Sequence, residues 1–202
     1  MQKEIVIVDY GLGNLRSVKK GIEAAGARAF ISGKTKDIAS ADGIVLPGVG
    51  AFHEGMEQLG LLRDTVVAAT REVPLLGICL GMQMLMDSSE EHGVCAGLGL
   101  VPGSVKKFPH VPGMKVPHMG WNTIRPTRPD SPLFAGLRDE EFVYFVHSYY
   151  ADTTPEYTLT RSEYICPFAS SIAKDNVYGV QFHPEKSGAT GLKILKNFIA
   201  MV

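Results

Sequence analysis

Apolar residues along this chain fall into short solid runs that end in glycine turns, each followed by a stretch where apolar positions recur every three or four residues; that alternation predicts strands leading into helices. Ile5-Val6-Ile7-Val8 is a run of the kind buried on both faces of a sheet, and Asp9-Tyr10-Gly11-Leu12-Gly13-Asn14 follows as a turn. Leu15, Val18, Ile22 and Ala25 then share one helical face, with Asn14 at the N-cap position. Gly43-Ile44-Val45-Leu46-Pro47-Gly48 repeats the strand and turn, and residues 55–70 have helical spacing at Leu62, Val66 and Ala69. A third run, Val73-Pro74-Leu75-Leu76, leads through Gly77-Ile78-Cys79-Leu80-Gly81 into the helical-looking Met82-Gln83-Met84-Leu85-Met86. Strands that alternate with helices predict a parallel sheet, whose ligand sites gather at the carboxyl ends of its strands. Gly48, Cys79 and the first glycine turn all fall at such ends.

From about Val105 the pattern shortens. Trp121-Asn122-Thr123-Ile124, Phe142-Val143-Tyr144-Phe145-Val146 and Tyr157-Thr158-Leu159-Thr160 are strand candidates between turns bearing proline and glycine, which predicts mixed or antiparallel pairing. A strand over 177–182 returns before a closing helix that turns Leu192, Leu195, Phe198, Ile199 and Val202 inward and Lys193 and Lys196 to water. The expectation is an α/β fold with residues 1–202 as one domain: an open, largely parallel sheet flanked by helices, with some antiparallel strands.

Composition narrows the function classes. Twenty basic residues against twenty-one acidic ones, with no long basic run, give no electrostatic footprint for nucleic acid. The apolar runs are too short to span a bilayer, and the N-terminus begins at once with a strand pattern rather than a basic head and cleavage site, so a cytoplasmic location is expected. Three cysteines, Cys79, Cys95 and Cys166, have no metal-type spacing and leave an odd one; neither a disulfide framework nor a metal site is expected, and Cys95 and Cys166 read as packing residues. Gly11-x-Gly13 lacks the third glycine of a dinucleotide fingerprint, so no nucleotide cofactor is expected, and the turn reads at least as well as strand-to-helix punctuation.

Candidate chemistry centres on Cys79. A cysteine between two glycines, after a strand and before a helix, has the form of a nucleophile elbow, in which a sharp turn leaves the side chain exposed. Such a nucleophile needs a base and the base an orienting partner. Far downstream, Gly179-Val180-Gln181-Phe182-His183-Pro184-Glu185 places His183 and Glu185 two residues apart, on one side of an extended segment. Taken singly, Cys79 reads as an inert core residue and the other two as a polar strand end.

Together, Pro47-Gly48-Val49-Gly50, Gly77-Ile78-Cys79-Leu80-Gly81-Met82-Gln83 and Gln181-Phe182-His183-Pro184-Glu185 resemble the triad class (class I) of glutamine amidotransferases, whose fold is flavodoxin-like. Within that class, Asp9-Tyr10-Gly11-x-Gly13-Asn14-Leu15, His118-Met119-Gly120-Trp121-Asn122 and Tyr144-Phe145-Val146-His147-Ser148-Tyr149 resemble the glutaminase subunits of imidazole glycerol phosphate synthase, in histidine biosynthesis. The resemblance runs from the first strand to the last helix. It implies a Cys79–His183–Glu185 triad acting on glutamine, and an oxyanion cradle from the Leu80 N–H and the loop at Val49 and Gly50. It also implies glutamine contacts from Gln83, Glu91, Ser148 and Tyr149, although Glu91 and Gln83 read equally well as solvated residues from sequence alone.

The resemblance further implies a partner, a cyclase subunit with a (β/α)₈ barrel joined in a heterodimer, facing Asn14, Trp121, Tyr144 and Lys186. It implies that glutamine hydrolysis stays weak until the partner's nucleotide substrate binds. Trp121, the single tryptophan, is assigned to that face rather than to the core. Other functions remain open at this point: a cysteine peptidase of similar fold, a glutaminase serving a synthase of pyridoxal phosphate or of surface sugars, or a non-enzymatic binding module.

Overall fold

The computed structural model describes residues 2–202. In its first half, β1 (Glu4–Val8), α1 (Leu15–Ala24), β2 (Arg28–Ser32), α2 (Thr35–Ala39), β3 (Gly43–Gly48), α3 (Phe52–Leu59), α4 (Arg63–Ala69), β4 (Leu75–Cys79) and α5 (Leu80–Met84) follow one another. The second half holds β5 (Met86–Ser89), β6 (Cys95–Ala96), β7 (Val101–Lys107), β8 (His118–Pro126), β9 (Glu141–His147), β10 (Tyr149–Asp152), β11 (Thr158–Glu163), β12 (Pro167–Lys174), β13 (Val177–Val180) and α6 (Gly188–Met201).

The solid apolar runs become the centre of the sheet. Strands pair in parallel in the order β2-β1-β3-β4-β13, with Val6 opposite Phe30 and Ile44, and Gly77 opposite Leu46 and Gly179. Successive residues of each run serve opposite faces. Ile5, Ile7, Val45, Leu76 and Ile78 pack with Val18 of α1 and Ile194, Leu195 and Phe198 of α6. Val6, Val8, Ile44, Leu46 and Leu75 pack with Ile38, Leu59, Val66 and Met82 from α2 to α5. Helices therefore cover both faces, as a parallel sheet requires.

Beyond β13 the sheet continues as β12-β10-β7-β5-β6, antiparallel except where β5 joins β7. Through β11, β12 also extends to β8, which carries β9 as a hairpin partner with Trp121 opposite Tyr144. The antiparallel share is larger than the three sequence candidates suggested. β2, β5, β6, β7 and β12 have short or mixed patterns, and long-range pairing rather than local periodicity makes them strands.

Four local expectations change. The helix expected over 55–70 is two helices, broken at a 3₁₀ turn (Gly60–Leu62) where Gly60 has φ +40 and Leu61 is 96% exposed. The helix after Cys79 ends at Met84, because Met86 already pairs with Val101. Asn14 occupies the N-cap of α1 but its side chain bonds no helical N–H. Ile194, absent from the predicted face of α6, is fully buried there. Among the described residues no helix is long and apolar enough to cross a membrane.

Candidate active site

The parallel strands deliver the first part of the site at their carboxyl ends. Cys79 ends β4 with φ +55 and ψ −109, a left-handed conformation that a side chain rarely adopts and that surrounding structure must enforce. Its enforcement comes from the flanking glycines. A β-carbon at Gly77 would lie 2.8 Å from the Gly81 carbonyl oxygen, and one at Gly81 would collide with the Leu46 carbonyl oxygen of β3. So α5 can fold back tightly over the sheet only with glycine at both positions. Beside it, β3 ends at Gly48, where a β-carbon would meet Tyr10 Oη at 2.5 Å and Leu80 Cβ at 2.9 Å. The loop that follows carries Val49 and Gly50 (φ +102) past the start of α5, whose opening N–H groups, Leu80 first, have no intrahelical acceptor.

His183 lies just beyond β13. The expected extended spacing of His183 and Glu185 is replaced by a 3₁₀ turn (Pro184–Lys186), started by proline, that curls the carboxylate back. Glu185 Oε1 meets His183 Nδ1 at 2.9 Å with both side chains nearly fully buried. This bond fixes the ring and leaves Nε2, which has no hydrogen-bond partner, as the free nitrogen of the base. Burial opposes a charged imidazole, but Cys79 and Glu185 outweigh it and push His183 up to about 9. Glu185 Oε2 is likewise buried without a partner.

Cys79 and His183 line one cavity of about 310 Å³ together with Val49, Gly50, Leu80, Gln83, Glu91, Ser148 and Tyr149, so the predicted nucleophile, cradle and substrate residues converge. The solvated alternative fails for Gln83, while Glu91 is half-buried. Gln83 is buried and donates to the Tyr149 carbonyl at 2.9 Å and to Gln181 Oε1 at 3.0 Å. Glu91 Oε2 accepts the Phe52 N–H at 2.7 Å, tying the exit of the Val49–Gly50 loop to the far wall of the cavity.

Pro117, Val146 and His147 also line this cavity, and buried Gln181 donates to the Cys79 sulfur at 3.7 Å. Sequence reading missed these roles. Gln181 stands two positions before His183, and that i, i+2 spacing was an available signal.

His147 belongs to a directional chain. Its Nδ1 lies 2.8 Å from the Tyr149 carbonyl, an acceptor only, so Nδ1 carries the proton and Nε2 accepts from His118 Nδ1 at 2.9 Å. His118 Nε2 then accepts from Asn122 Nδ2 at 3.3 Å. Both rings are neutral: burial lowers His118 to about 4, and burial with the neighbouring His118 and His183 lowers His147 to about 3. The Tyr149 carbonyl thus accepts from both Gln83 and His147, which pins the Ser148–Tyr149 wall.

The expected partner face is only partly one cluster. Trp121 is 57% exposed, packs edge-on at 6.2 Å against Tyr144, and Lys186 Nζ sits 5.9 Å above the Tyr144 ring. Asn14 is exposed beside α1 and makes no side-chain hydrogen bond with that group. A short backbone path joins patch to site, since the His183 N–H donates to the Tyr144 carbonyl at 2.9 Å. Among the described residues no group of three or more His, Cys, Asp or Glu is placed to hold a metal ion.

A buried base locked to a carboxylate, lining one cavity with a strained cysteine, is suited to thiolate attack on a small carbonyl compound. Residues 6–202 match the family model "Glutamine amidotransferase class-I". The chain is 57% identical to the imidazole glycerol phosphate synthase subunit HisH of Methanosarcina acetivorans, over 98% of this chain and 99% of that protein. It is 48% identical to the subunit of the same name from Archaeoglobus fulgidus, over 98% of each. Its fold is similar to that of PurLQS from Thermotoga maritima, with a TM-score of 0.75, 18% identity and 99% of each chain covered. It is also similar to the glutaminase domain of CTPS from Trypanosoma brucei, with a TM-score of 0.73, 16% identity, and coverage of 99% of this chain and 93% of that one. The chain belongs to the class I glutamine amidotransferases, in the branch of the imidazole glycerol phosphate synthase subunit HisH.

Proposed function

We propose that residues 1–202 act in the cytoplasm as one glutamine amidotransferase type 1 domain, the glutaminase of an imidazole glycerol phosphate synthase. Cys79, His183, Gln83, Glu91 and Tyr149, drawn from separate elements, line a single cavity of amino-acid size, and that observation carries the reading.

Glutamine enters with its α-ammonium toward Glu91 Oε1, while Glu91 Oε2 keeps the Phe52 N–H. Its α-carboxylate lies along Ser148 and Tyr149, and Gln83 Oε1 faces the side-chain amide. Transfer of the Cys79 proton to His183 Nε2 yields a thiolate and an imidazolium whose other nitrogen rests on Glu185. The thiolate attacks the side-chain carbonyl carbon, and the oxyanion is met by N–H groups of Leu80 and of the Val49–Gly50 loop. Protonated by His183, ammonia leaves; water, deprotonated by the same imidazole, then cleaves the thioester to glutamate. No cofactor takes part.

Ammonia released into water is protonated and lost as a nucleophile, which favours a site closed by the consuming enzyme. Trp121, Tyr144 and Lys186 form an aromatic and basic patch beside His183, suited to a (β/α)₈ cyclase subunit in a heterodimer that would also face the exposed Asn14. The joint reaction would add the ammonia nitrogen to a phosphorylated ribulosyl aminoimidazole carboxamide, giving imidazole glycerol phosphate and an aminoimidazole carboxamide ribotide. Nucleotide bound to the partner would favour the competent oxyanion loop over the resting one, with the Tyr144–His183 contact as the shortest path between them.

The test mixes the chain with the cyclase and its nucleotide and measures glutamate release. The reading expects release to rise strongly on addition of both, and to vanish in Cys79→Ala. Full glutaminase rate from the isolated chain, unchanged by cyclase and nucleotide, would defeat the coupling; glutamate release by Cys79→Ala would defeat the chemistry.

A further inference from the structure

We propose that Gln181 is a catalytic hydrogen-bond donor to the Cys79 sulfur, held in that role by a one-way chain of amides that begins at the Tyr149 carbonyl. The proposal rests on Cys79 being the nucleophile and adds a group that stabilises its ionised form.

Gln181 is 0% exposed, its backbone N–H is held by the Ser170 carbonyl at 2.9 Å, and its side-chain amide is bonded between Gln83 and Cys79. There Nε2 lies 3.7 Å from Cys79 Sγ, within range for an N–H group on sulfur. Which end of the amide faces the sulfur follows from its neighbours rather than from any hydrogen seen directly. The Tyr149 carbonyl only accepts, so the group of Gln83 that meets it at 2.9 Å must be the amino end. That same nitrogen faces Gln181 at 3.0 Å, and two amino ends would repel, so Gln181 presents its oxygen to Gln83. Its own amino end is left for the sulfur. Turning Gln83 over would set its oxygen against two carbonyl oxygens, and turning Gln181 over would set two amino ends together and take the donor from the sulfur.

The sulfur has a second contact of opposite character, the Val146 carbonyl at 3.8 Å. As a thiol, Cys79 can donate to that carbonyl. As a thiolate it cannot, and the lost bond would oppose ionisation. Gln181 reverses the balance, because a hydrogen bond to a charged acceptor is stronger than one to a neutral acceptor. As the proton moves to His183 Nε2, the N–H of Gln181 meets the growing negative charge on the sulfur. The other titratable groups around the sulfur are His183 with Glu185 behind it, His147 and Glu91 across the cavity, and Tyr10, whose hydroxyl is raised by burial and by Cys79 and is bonded to the Pro47 carbonyl. Among the described residues, Gln181 Nε2 is the side-chain nitrogen that donates to the sulfur.

Gln181→Glu is the sharpest substitution, since it keeps an oxygen for Gln83 and replaces the donor by an acceptor. Gln181→Met removes the donor without adding charge. In the full chain, alkylation of Cys79 by iodoacetamide is followed by peptide mass spectrometry across pH, with Cys95 and Cys166 as internal references. Both variants should raise the pH midpoint of Cys79 alkylation by about one to two units and lower kcat by about 10- to 100-fold, with KM within about twofold. In the unaltered chain, the side-chain amide resonances of Gln181 should shift with the midpoint of Cys79 alkylation. An unmoved midpoint in either folded variant, or amide resonances that ignore that midpoint, would overturn the role. Alkylation needs neither glutamine nor cyclase, so failure of the glutaminase reading would be seen separately.

Discussion

The two halves of the sheet contribute to one cavity in different ways. The parallel half, β2-β1-β3-β4-β13, supplies Cys79 and the Gly48–Gly50 loop at strand ends in glycine-marked turns, and His183 just beyond β13 at a proline-started 3₁₀ turn. The antiparallel half and its connections supply Glu91, Pro117, Val146, His147, Ser148 and Tyr149. In the first, each reacting group is set by its own local backbone: a positive φ at Cys79, a 3₁₀ turn at Glu185. In the second, placement depends on side-chain bonds across long separations, such as Glu91 to Phe52 and His147 to His118. Reactivity is thus built locally and recognition is built by assembly. Substitutions in the parallel half should act on kcat, and those in the antiparallel half on KM or stability.

The largest effect should come from Glu185→Gln. It preserves the contact to His183 Nδ1 but removes the charge that balances the imidazolium, and kcat for glutamine hydrolysis should fall about 10²- to 10⁴-fold with little change in KM. A KM-dominated loss would break the division between the halves. Next, Gly48→Ala forces a β-carbon against Tyr10 Oη and Leu80 and should displace the proposed oxyanion loop, costing about 10²- to 10³-fold in kcat in steady-state assays. Glu91→Gln belongs to the other half: weakening both the Phe52 strap and the proposed site for the α-ammonium should raise KM about 10-fold or more, with a smaller change in kcat.

Such kinetic separation would mirror what was legible in the sequence. β1, β3 and β4 and the turn at Cys79 could be read directly because solid apolar runs and paired glycines are local signals. The site in that half was readable for the same reason, apart from the 3₁₀ turn at Pro184–Lys186, which the alternation of an extended strand concealed. The antiparallel half was only sketched. β7 and β12 carry no clean period, and their register is set by partners distant in sequence. Gln83 and Glu91 stayed ambiguous because their burial depends on Tyr149, Gln181 and Phe52, contacts that no spacing reveals. The break at Gly60 escaped because apolar residues on either side kept a helical spacing across it.

The smallest effect is on stability and concerns the antiparallel half alone. His118 and His147 are held neutral, at about 4 and about 3, below the value near 6.5 of an unfolded histidine. A lowered histidine makes the unfolded chain bind more protons as pH falls, so stability is full above about 6.5 and declines below it. His183 has the opposite sign: raised to about 9, its contribution is complete below about 6.5 and fades as pH rises through 9, so it does not offset the acid-side loss. Calorimetry should show Tm falling by about 5–10 °C between pH 7 and pH 5. His147→Gln should flatten that slope. An unchanged slope would mean that the histidine chain does not anchor this half.

The central claim, that both halves meet in one glutamine-shaped cavity around a single reactive sulfur, is tested most directly by treating the full chain with an electrophilic glutamine analogue and locating the adduct by mass spectrometry. One adduct on Cys79, suppressed by excess glutamine and absent in His183→Ala, is the predicted result. Labelling of Cys95 or Cys166 at a comparable rate, or labelling of Cys79 that glutamine does not slow, would contradict it.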